Sequence, residues 1–410
     1  MGSKIEKKLT ELQIDKSNWS LTKFGDVAIQ QKQNVDRENT DLTKYVKGEH
    51  MGSEDLHLRS WGELKDEYLG PAFIRRFDKG DILYGSRRTY LRKVVIAPFS
   101  GITSNTTFVI KANEEKIDKG LLPFIMMSEG FTENSIRNSK GSVNPYINWK
   151  DIANYEFLLP PKDQQAKLAK LLWAMDEVVE REKVVLEKLD RSLESNTEKE
   201  IHGINIKNKV IREVLEELST KKELVYLSEL GELLKGKGVP KSDVVDEGVP
   251  CVRYGELYTK HHRIIRGFNS FITEQNKNKS FKLKKNDVLF AGSGETITEI
   301  GKSAAFVDDI EAYVGSDTLL FRPYDMDGYY LGYLMNSQLV RQQLNKYGTG
   351  ATVMHIYNSD LAKVRIPRID IKTQVLIGKK LEAIYSNIIN LGSQILASKS
   401  LQKSLINQVF

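Results

Sequence analysis

At 410 residues, with 40% hydrophobic and 28% charged residues, the chain is long enough for two or three globular units of about 100 to 200 residues each. Its net charge of +6 permits attraction to phosphate but falls short of a histone-like excess, and no apolar run approaches the ~20 residues of a membrane span. The single cysteine, Cys251, excludes an internal disulfide, and six histidines without zinc-ligand spacing give no reason to expect a metal.

The opening segment Met1–Thr10 is charged, lacks the apolar stretch of a secretion signal, and has Glu6 where a myristoylation signal needs Ser or Thr. A cytoplasmic protein is expected. Ile5, Leu9 and Leu12 then fall at helical spacing, and 206 residues later Ile211, Leu215 and Leu218 do so again. A long-period repeat determines architecture before any local motif does. The same shift carries Leu21–Val27 onto Leu227–Leu233, read as a helix or turn, and Gly80-Asp-Ile-Leu83 onto Asn286-Asp-Val-Leu289, read as a strand.

Further along, a shift of 211 brings the run that ends at Lys111 onto Asp317–Arg322, and a shift of 209 brings Tyr146-Ile147 onto His355-Ile356. Small changes in shift are what surface-loop insertions produce. Strand-like runs such as Val94–Ala97 and Thr318–Phe321 mix with apparent helices near 121–137 and 328–346, so each copy is α+β.

Each copy closes on a long amphipathic segment. Leu168, Leu172, Met175, Val179, Glu182, Leu186, Leu189 and Leu193 follow a 4-3-4-3 spacing, the a/d seam of a heptad pattern. Adding 209 gives Ile377, Leu381, Ile384, Ile388, Leu391, Ile395, Ser398 and Gln402, in the same phase. One such helix is as readily packed on its own domain; two in register favour a mutual antiparallel pairing. From Leu168 to Leu193 the rise is roughly 39 Å at about 1.5 Å per residue, close to the ~34 Å of one DNA turn.

The expected organisation is therefore an N-terminal helix and first globular domain over 1–161, a central long helix over 162–203, a short helix and second domain over 204–369, and a C-terminal long helix over 370–410. This layout resembles the specificity subunits of Type I restriction-modification systems over essentially the whole chain. The signatures are the Leu-x-x-Leu-Gly-Asp-like turns at Leu21–Val27 and Leu227–Leu233, the strands at Gly80–Leu83 and Asn286–Leu289, and the helix entry Leu159-Pro-Pro-Lys-Asp-Gln-Gln165. In the second copy, Ile366-Pro-Arg-Ile-Asp-Ile-Lys-Thr-Gln374 fits loosely, and Met175-Asp176 becomes Ile384-Tyr385.

The resemblance implies two pseudo-symmetric target-recognition domains, each reading half of a bipartite double-stranded DNA site, separated by two antiparallel coiled-coil helices. It also implies two modification (methyltransferase) subunits and restriction/translocase subunits as partners. No cofactor is expected on this chain; S-adenosylmethionine, ATP and magnesium are expected on the partners. In this reading the chain is a non-catalytic subunit of a methyltransferase/endonuclease complex.

Base edges are read by side chains of matching hydrogen-bond geometry, Arg with guanine and Asn or Gln with adenine, while Lys and Ser hold phosphates. The first choice for a DNA-facing loop is Tyr84–Lys93, with Ser86, Arg87, Arg88, Tyr90, Arg92 and Lys93. The plain alternative is a solvated basic turn. The matching loop in the second copy offers Ser293, Glu295 and Thr296, with Lys302 beyond it, and is short of cations. Two glycine-bearing loops follow, one with Lys140, Ser142 and Asn144, the other with Thr349, Thr352 and His355. These are equally ordinary helix-to-strand connections. Arg75, Arg76, Arg253, Tyr254, His262 and Arg263 lie near strands, where alternation leaves only about half facing DNA.

Four other readings are weaker. Asn144-Pro-Tyr146 is similar to the adenine-gripping motif of DNA adenine methyltransferases but lacks a proline and a cofactor-binding turn upstream. Gly292-Ser-Gly294 lacks the Gly-Lys-Ser/Thr ending of a phosphate loop, and no carboxylate set marks a nuclease. A coiled-coil scaffold that reads no sequence explains the heptads but leaves two loop-bearing domains without a task.

Overall fold

Short apolar runs in each copy become strands, and the computed structural model describes residues 14–36, 39–203, 209–294, 296, 299–347 and 354–410. The chain divides into two units, Met1–Lys183 with Ser393–Phe410, and Val184–Gly392. The stretch around Ile5, Leu9 and Leu12 lies outside the described residues; its counterpart is the helix Ile211–Lys221, which buries Val214, Leu215 and Leu218.

In the first unit one antiparallel sheet has the strand order Ala28–Gln31, Thr107–Ala112, Ile82–Gly85, Val94–Ile96. A second sheet orders Gly62–Glu63, Lys44–Val46, Gly101–Ser104 and Phe73–Phe77, and its two central strands are parallel. The second unit repeats this order as Gly231–Lys235, Thr318–Pro323, Val288–Ala291 and Ser303–Ala305, with Arg263–Ile264 added at the edge. Its second sheet runs Val244–Val245, Ser270–Ile272, Val249–Val252, Tyr313–Val314 and Phe281–Lys282, again with one parallel pair, Val249–Val252 and Tyr313–Val314. Ile82 to Tyr84 and Val288 to Phe290 are buried throughout. Strands covered on both faces read as continuous apolar runs rather than alternating ones.

The short motifs have physical explanations. Gly80 and Asn286 both adopt left-handed backbone, φ 92° and 73°, a conformation that Gly and Asn tolerate best. The aspartate that follows closes the turn in each copy: Asp81 Oδ2 accepts from Asp78 N at 2.8 Å, and Asp287 Oδ2 from Lys284 N at 2.7 Å. Each aspartate also faces the penultimate residue of the neighbouring strand, a cation in both copies, Lys111 at 3.6 Å and Arg322 at 2.7 Å.

The two Leu-x-x-Leu-Gly-Asp-like runs do not superpose as their letters do. Phe24 N bonds Tyr155 O and Leu227 N bonds Val364 O, so Phe24 corresponds to Leu227, a shift of 203 rather than 206. Leu21 is 67% exposed whereas Leu227 is fully buried. Sheet pairing decides this: Leu21 lies opposite Leu158, and Leu224 opposite Pro367.

The two long helices are Lys162–His202 and Ile371–Val409. A buried glutamine in the first turn helps to fasten each. Gln165 accepts from Asp118 N at 2.7 Å and donates to Pro160 O at 2.8 Å; Gln374 accepts from Asp327 N at 3.0 Å and donates to Ile369 O at 2.7 Å. The loosely fitting second copy therefore makes the same contacts without its proline pair.

The seams meet antiparallel. In the first unit Leu168, Leu172 and Met175 share a core with Leu405, Ile406 and Val409, and Val179 is buried. In the second, Leu186, Leu189 and Leu193 pack with Ile377, Leu381, Ile384 and Ile388, and Leu391 is half-buried; Ile395, back in the first unit, is buried. The polar seam positions meet other polar groups: Ser398 donates to Glu182 at 3.4 Å, and Gln402 to Asp176 at 3.4 Å. Burying each Leu or Ile contributes about 1.5 to 3 kcal/mol.

At the end of the first long helix, Glu198 accepts from Gln338 N at 2.7 Å, capping the helix Gln338–Tyr347. His202 Nε2 lies 3.2 Å from Ser337 Oγ and 3.4 Å from Glu198. Burial pushes the Glu198 carboxyl up to about 7 and the His202 imidazole down to about 3. A carboxyl raised on folding contributes stability below its unfolded value that is lost as pH rises through its folded value. Glu198→Gln keeps the acceptor and removes the charge. Its thermal midpoint is expected to exceed that of the unaltered chain at pH 8, with the gap closing towards pH 4.5; a gap independent of pH would refute the buried carboxyl's role.

Candidate nucleic-acid interface

Strand register gathers loops that are distant in sequence. In the first unit Gly85 lies opposite Thr107 and Gln31 opposite Val109, so the chain leaves one sheet edge after Gln31 and Gly85 and enters it before Thr107. In the second, Ala291 opposite Thr318 and Lys235 opposite Leu319 make the same edge.

Two of the expected loops merge there in each copy. Arg87 and Lys140 both form β-bridges with Tyr146, Arg88 N donates to Pro145 O at 2.6 Å, and Thr89 Oγ1 lies 3.0 Å from Ser139 Oγ. In the second copy Ser293-Gly294 pairs with Met354-His355, and Ser293 Oγ lies 3.0 Å from His355 Nδ1. One bond is common to both: Ile147 N donates to Ser86 O at 2.9 Å, and Ile356 N to Gly292 O at 3.0 Å. Asn144-Pro-Tyr146 is thus an arm of a loop bridged to the basic turn.

On the first surface Arg87, Arg88, Tyr90, Lys140 and Ser142 are exposed and Asn144 half-buried, while Ser86 is buried and donates to Thr106 O. Val143, at the tip of its loop, is 89% exposed. On the second, Tyr258 OH donates to Ser293 O, Lys302 sits 5.6 Å over the Tyr258 ring, and His355 stacks on Tyr357. Thr296 is exposed and donates to Glu299. Glu295, Thr349 and Thr352 lie outside the described residues.

Several expected cations are committed elsewhere. Arg92 pairs with Glu54 at 3.0 Å and with Glu129, Lys93 donates to Gly48 O at 2.5 Å, and Arg76 pairs with Asp78 at 2.9 Å. The backbone of Arg75 forms a β-bridge with that of Asn34, three residues past the strand end at Gln31. Arg263, at φ 63°, stacks between Tyr333 and Tyr385, and burial lowers its pKa, so it faces the second long helix. Neighbouring His262 has an exposed edge, but its imidazole is pushed down to about 4, first by loss of water and then by Arg263, Lys302 and Arg266. Arg253 is half-buried with its amide held by Glu256, and Tyr254 is 39% exposed.

Among the described residues, Asp55, His57 and Glu180 come close enough to surround an ion. Arg59 already bonds Asp55 and Glu180, each at 2.8 Å, Lys183 lies 3.6 Å from Asp55, and His57 bonds Asp176 at 2.7 Å. These contacts fasten a loop to the first long helix. The candidate interface offers guanidinium forks, hydroxyls, amides and aromatic faces. Exposed Lys32 at the same edge escaped notice in the sequence because it sits in no dense basic cluster; strand register reveals it.

The Type I restriction modification DNA specificity domain matches residues 16–191 and 220–398. The Type I restriction enzyme MjaVIII specificity subunit of Methanocaldococcus jannaschii is 23% identical over 364 residues, 84% of each chain. The EcoDI specificity subunit of Escherichia coli is 28% identical over 184 residues, 42% of this chain and 38% of that one. Among solved structures, the Type-I restriction-modification S subunit from M. genitalium superposes with TM-score 0.58 at 12% identity, covering 98% of this chain and 97% of that one. A chain from a structure of type I R-M complex assembly gives 0.54 at 18% identity, covering 95% and 96%. At these identities the two structures establish the fold.

The division between paired arginines and those with no ion pair among the described residues is measurable. Arg92→Ala is expected to cost about 1 kcal/mol of stability, since Glu54 and Glu129 are partly solvated, and Arg87→Ala to leave the unfolding midpoint in place. Equal midpoints for the two variants would contradict it.

Proposed function

The chain belongs to the Type I restriction-modification DNA specificity family, and from that membership we propose that it is the complex's non-catalytic, sequence-reading subunit. Each unit reads one half of a bipartite double-stranded site through its merged loops. The long helices set the spacing between the halves and carry two modification subunits, around which restriction/translocase subunits assemble. Methyl transfer from S-adenosylmethionine, and ATP- and magnesium-dependent cleavage, belong to those partners. Among the described residues no helix is long and apolar enough to cross a membrane; a cytoplasmic location, where DNA and partners meet, is part of the proposal.

The observation that carries this reading is the duplicated loop merger. Arg87 with Tyr146 and Ser293 with His355 bring differing side chains to matching strand ends. A scaffold that read no sequence has no use for two such surfaces, whereas a reader of two unlike half-sites needs one frame carrying two sets of donors and acceptors.

The test is to co-express the chain with the methyltransferase encoded beside it, purify the complex and map methylated adenines on random-sequence DNA. A split motif is expected; methylation without sequence preference from an assembled complex would leave only a scaffold. In that complex Arg87→Ala with Arg88→Ala should relax one half-site, at about 1 to 3 kcal/mol for each base-contacting arginine, and spare the other. Four residues inserted in the central helix, about 6 Å by helical rise, should change the spacer and neither half.

A further inference from the structure

The second reading loop is poor in cations, yet phosphates flank every base that is read. We propose that Lys235, Lys237, Lys241 and Lys279 form a phosphate-holding patch that supplies this charge beside the second merged loop. The proposal rests on the DNA-reading role above and adds residues outside the loops expected from the sequence.

Placement follows from register. Lys235 is the last residue of its strand and lies opposite Leu319, while Ala291 lies opposite Thr318, so the segment after Lys235 leaves the sheet beside Gly292 and Ser293. Backbone bonds then tie the segments together: Gly236 N to Thr318 O at 2.9 Å, Ser316 N to Gly238 O at 3.0 Å, and Gly292 N to Asp317 O at 3.3 Å. Lys279 joins from another direction, because Gly238 packs directly on its carbonyl: a Cβ at Gly238 would lie 2.5 Å from Lys279 O. A Cβ at Gly236 would lie 2.1 Å from Gly315 O. Lys237 stands between two glycines that lay the turn flat.

The turn is also held rigidly. Val239 adopts φ 54°, an uncommon conformation for a β-branched residue, and it persists because the side chain is buried with Val249, Cys251, Ile272 and Tyr313. Lys237 and Lys241 thus project from a pinned turn and not from a loose one. All four lysines are exposed, and among the described residues no ion pair holds any of them, whereas nearby Lys277 and Lys282 are both paired with Glu311. Exposed Asp317 lies between the patch and the loop, where its carboxylate suits a cytosine amine and not a phosphate. The first unit places exposed Lys32 at the equivalent strand end, next to the bridge between Asn34 and Arg75. A cation at this edge therefore occurs twice.

The test uses the assembled complex after the unaltered chain's methylated motif has been mapped. Lys237→Ala with Lys279→Ala is measured by fluorescence anisotropy across a salt series on the mapped duplex and on one with the second half-site scrambled. The expected result is a loss of affinity by the same factor on both duplexes and a log–log salt slope shallower by about 1.8, about 0.9 for each phosphate contact. The methylated motif should not change, and the Lys→Arg pair should restore the slope. An unchanged slope overturns the patch, and so does an altered motif, since the lysines would then be reading bases. Failure of the DNA-reading role itself would appear earlier, as the absence of any motif with the unaltered chain.

Discussion

A buried glutamine in its first turn ties each long helix to the globular part it leaves. Gln165 and Gln374 each use both ends of the amide, accepting from the backbone of an upstream segment and donating to a carbonyl just before the helix. Two bonds from one planar group fix both the position and the rotation of the helix start. The seam depends on that rotation, because apolar residues at 4-3 spacing face a partner only if the first turn is oriented correctly. Buried amide groups are costly to leave unpaired, so any other rotation is penalised twice, by exposed leucines and by unmet hydrogen bonds.

The polar members of the seam refine what the apolar ones hold. Leu172, Leu381 and their neighbours gain by burial in any register that keeps them inside. The contacts of Glu182 with Ser398 and of Asp176 with Gln402 are made in one register only. Sliding one helix by a heptad would strand both pairs against apolar side chains, which is how polar core positions select register at some cost in stability.

Most of the architecture was legible in the sequence because repeats and heptads are patterns of burial, and burial is what the fold conserves. Strand pairing is a different kind of information. The match of Leu21–Val27 to Leu227–Leu233 was a likeness of letters three residues out of structural register, and only the bonds from Phe24 to Tyr155 and from Leu227 to Val364 correct it. The candidate interface divides in the same way. The basic loop at Arg87 and Arg88 stood out by its composition, but composition cannot separate these exposed arginines from Arg92, which Glu54 and Glu129 engage, or from Arg263, which lies between two tyrosines. Such partners lie 35 or more residues away in the chain, beyond the reach of local reading.

The two copies share a frame and differ in what the frame displays. The bond from Ile147 to Ser86 recurs as that from Ile356 to Gly292, and the aspartate turns recur at Asp81 and Asp287. These contacts are made by backbone atoms or by side chains turned inward, so they place little demand on outward-facing residues. Arg87 can therefore be replaced by Ser293, and Tyr146 by His355, without disturbing the ladder that joins the loops. Charge lost in one segment can then be supplied by another at the same edge, as Lys237 and Lys279 supply it beside a loop with few cations of its own. Separating the groups that hold the edge from those that face outward lets one fold carry two unlike reading surfaces.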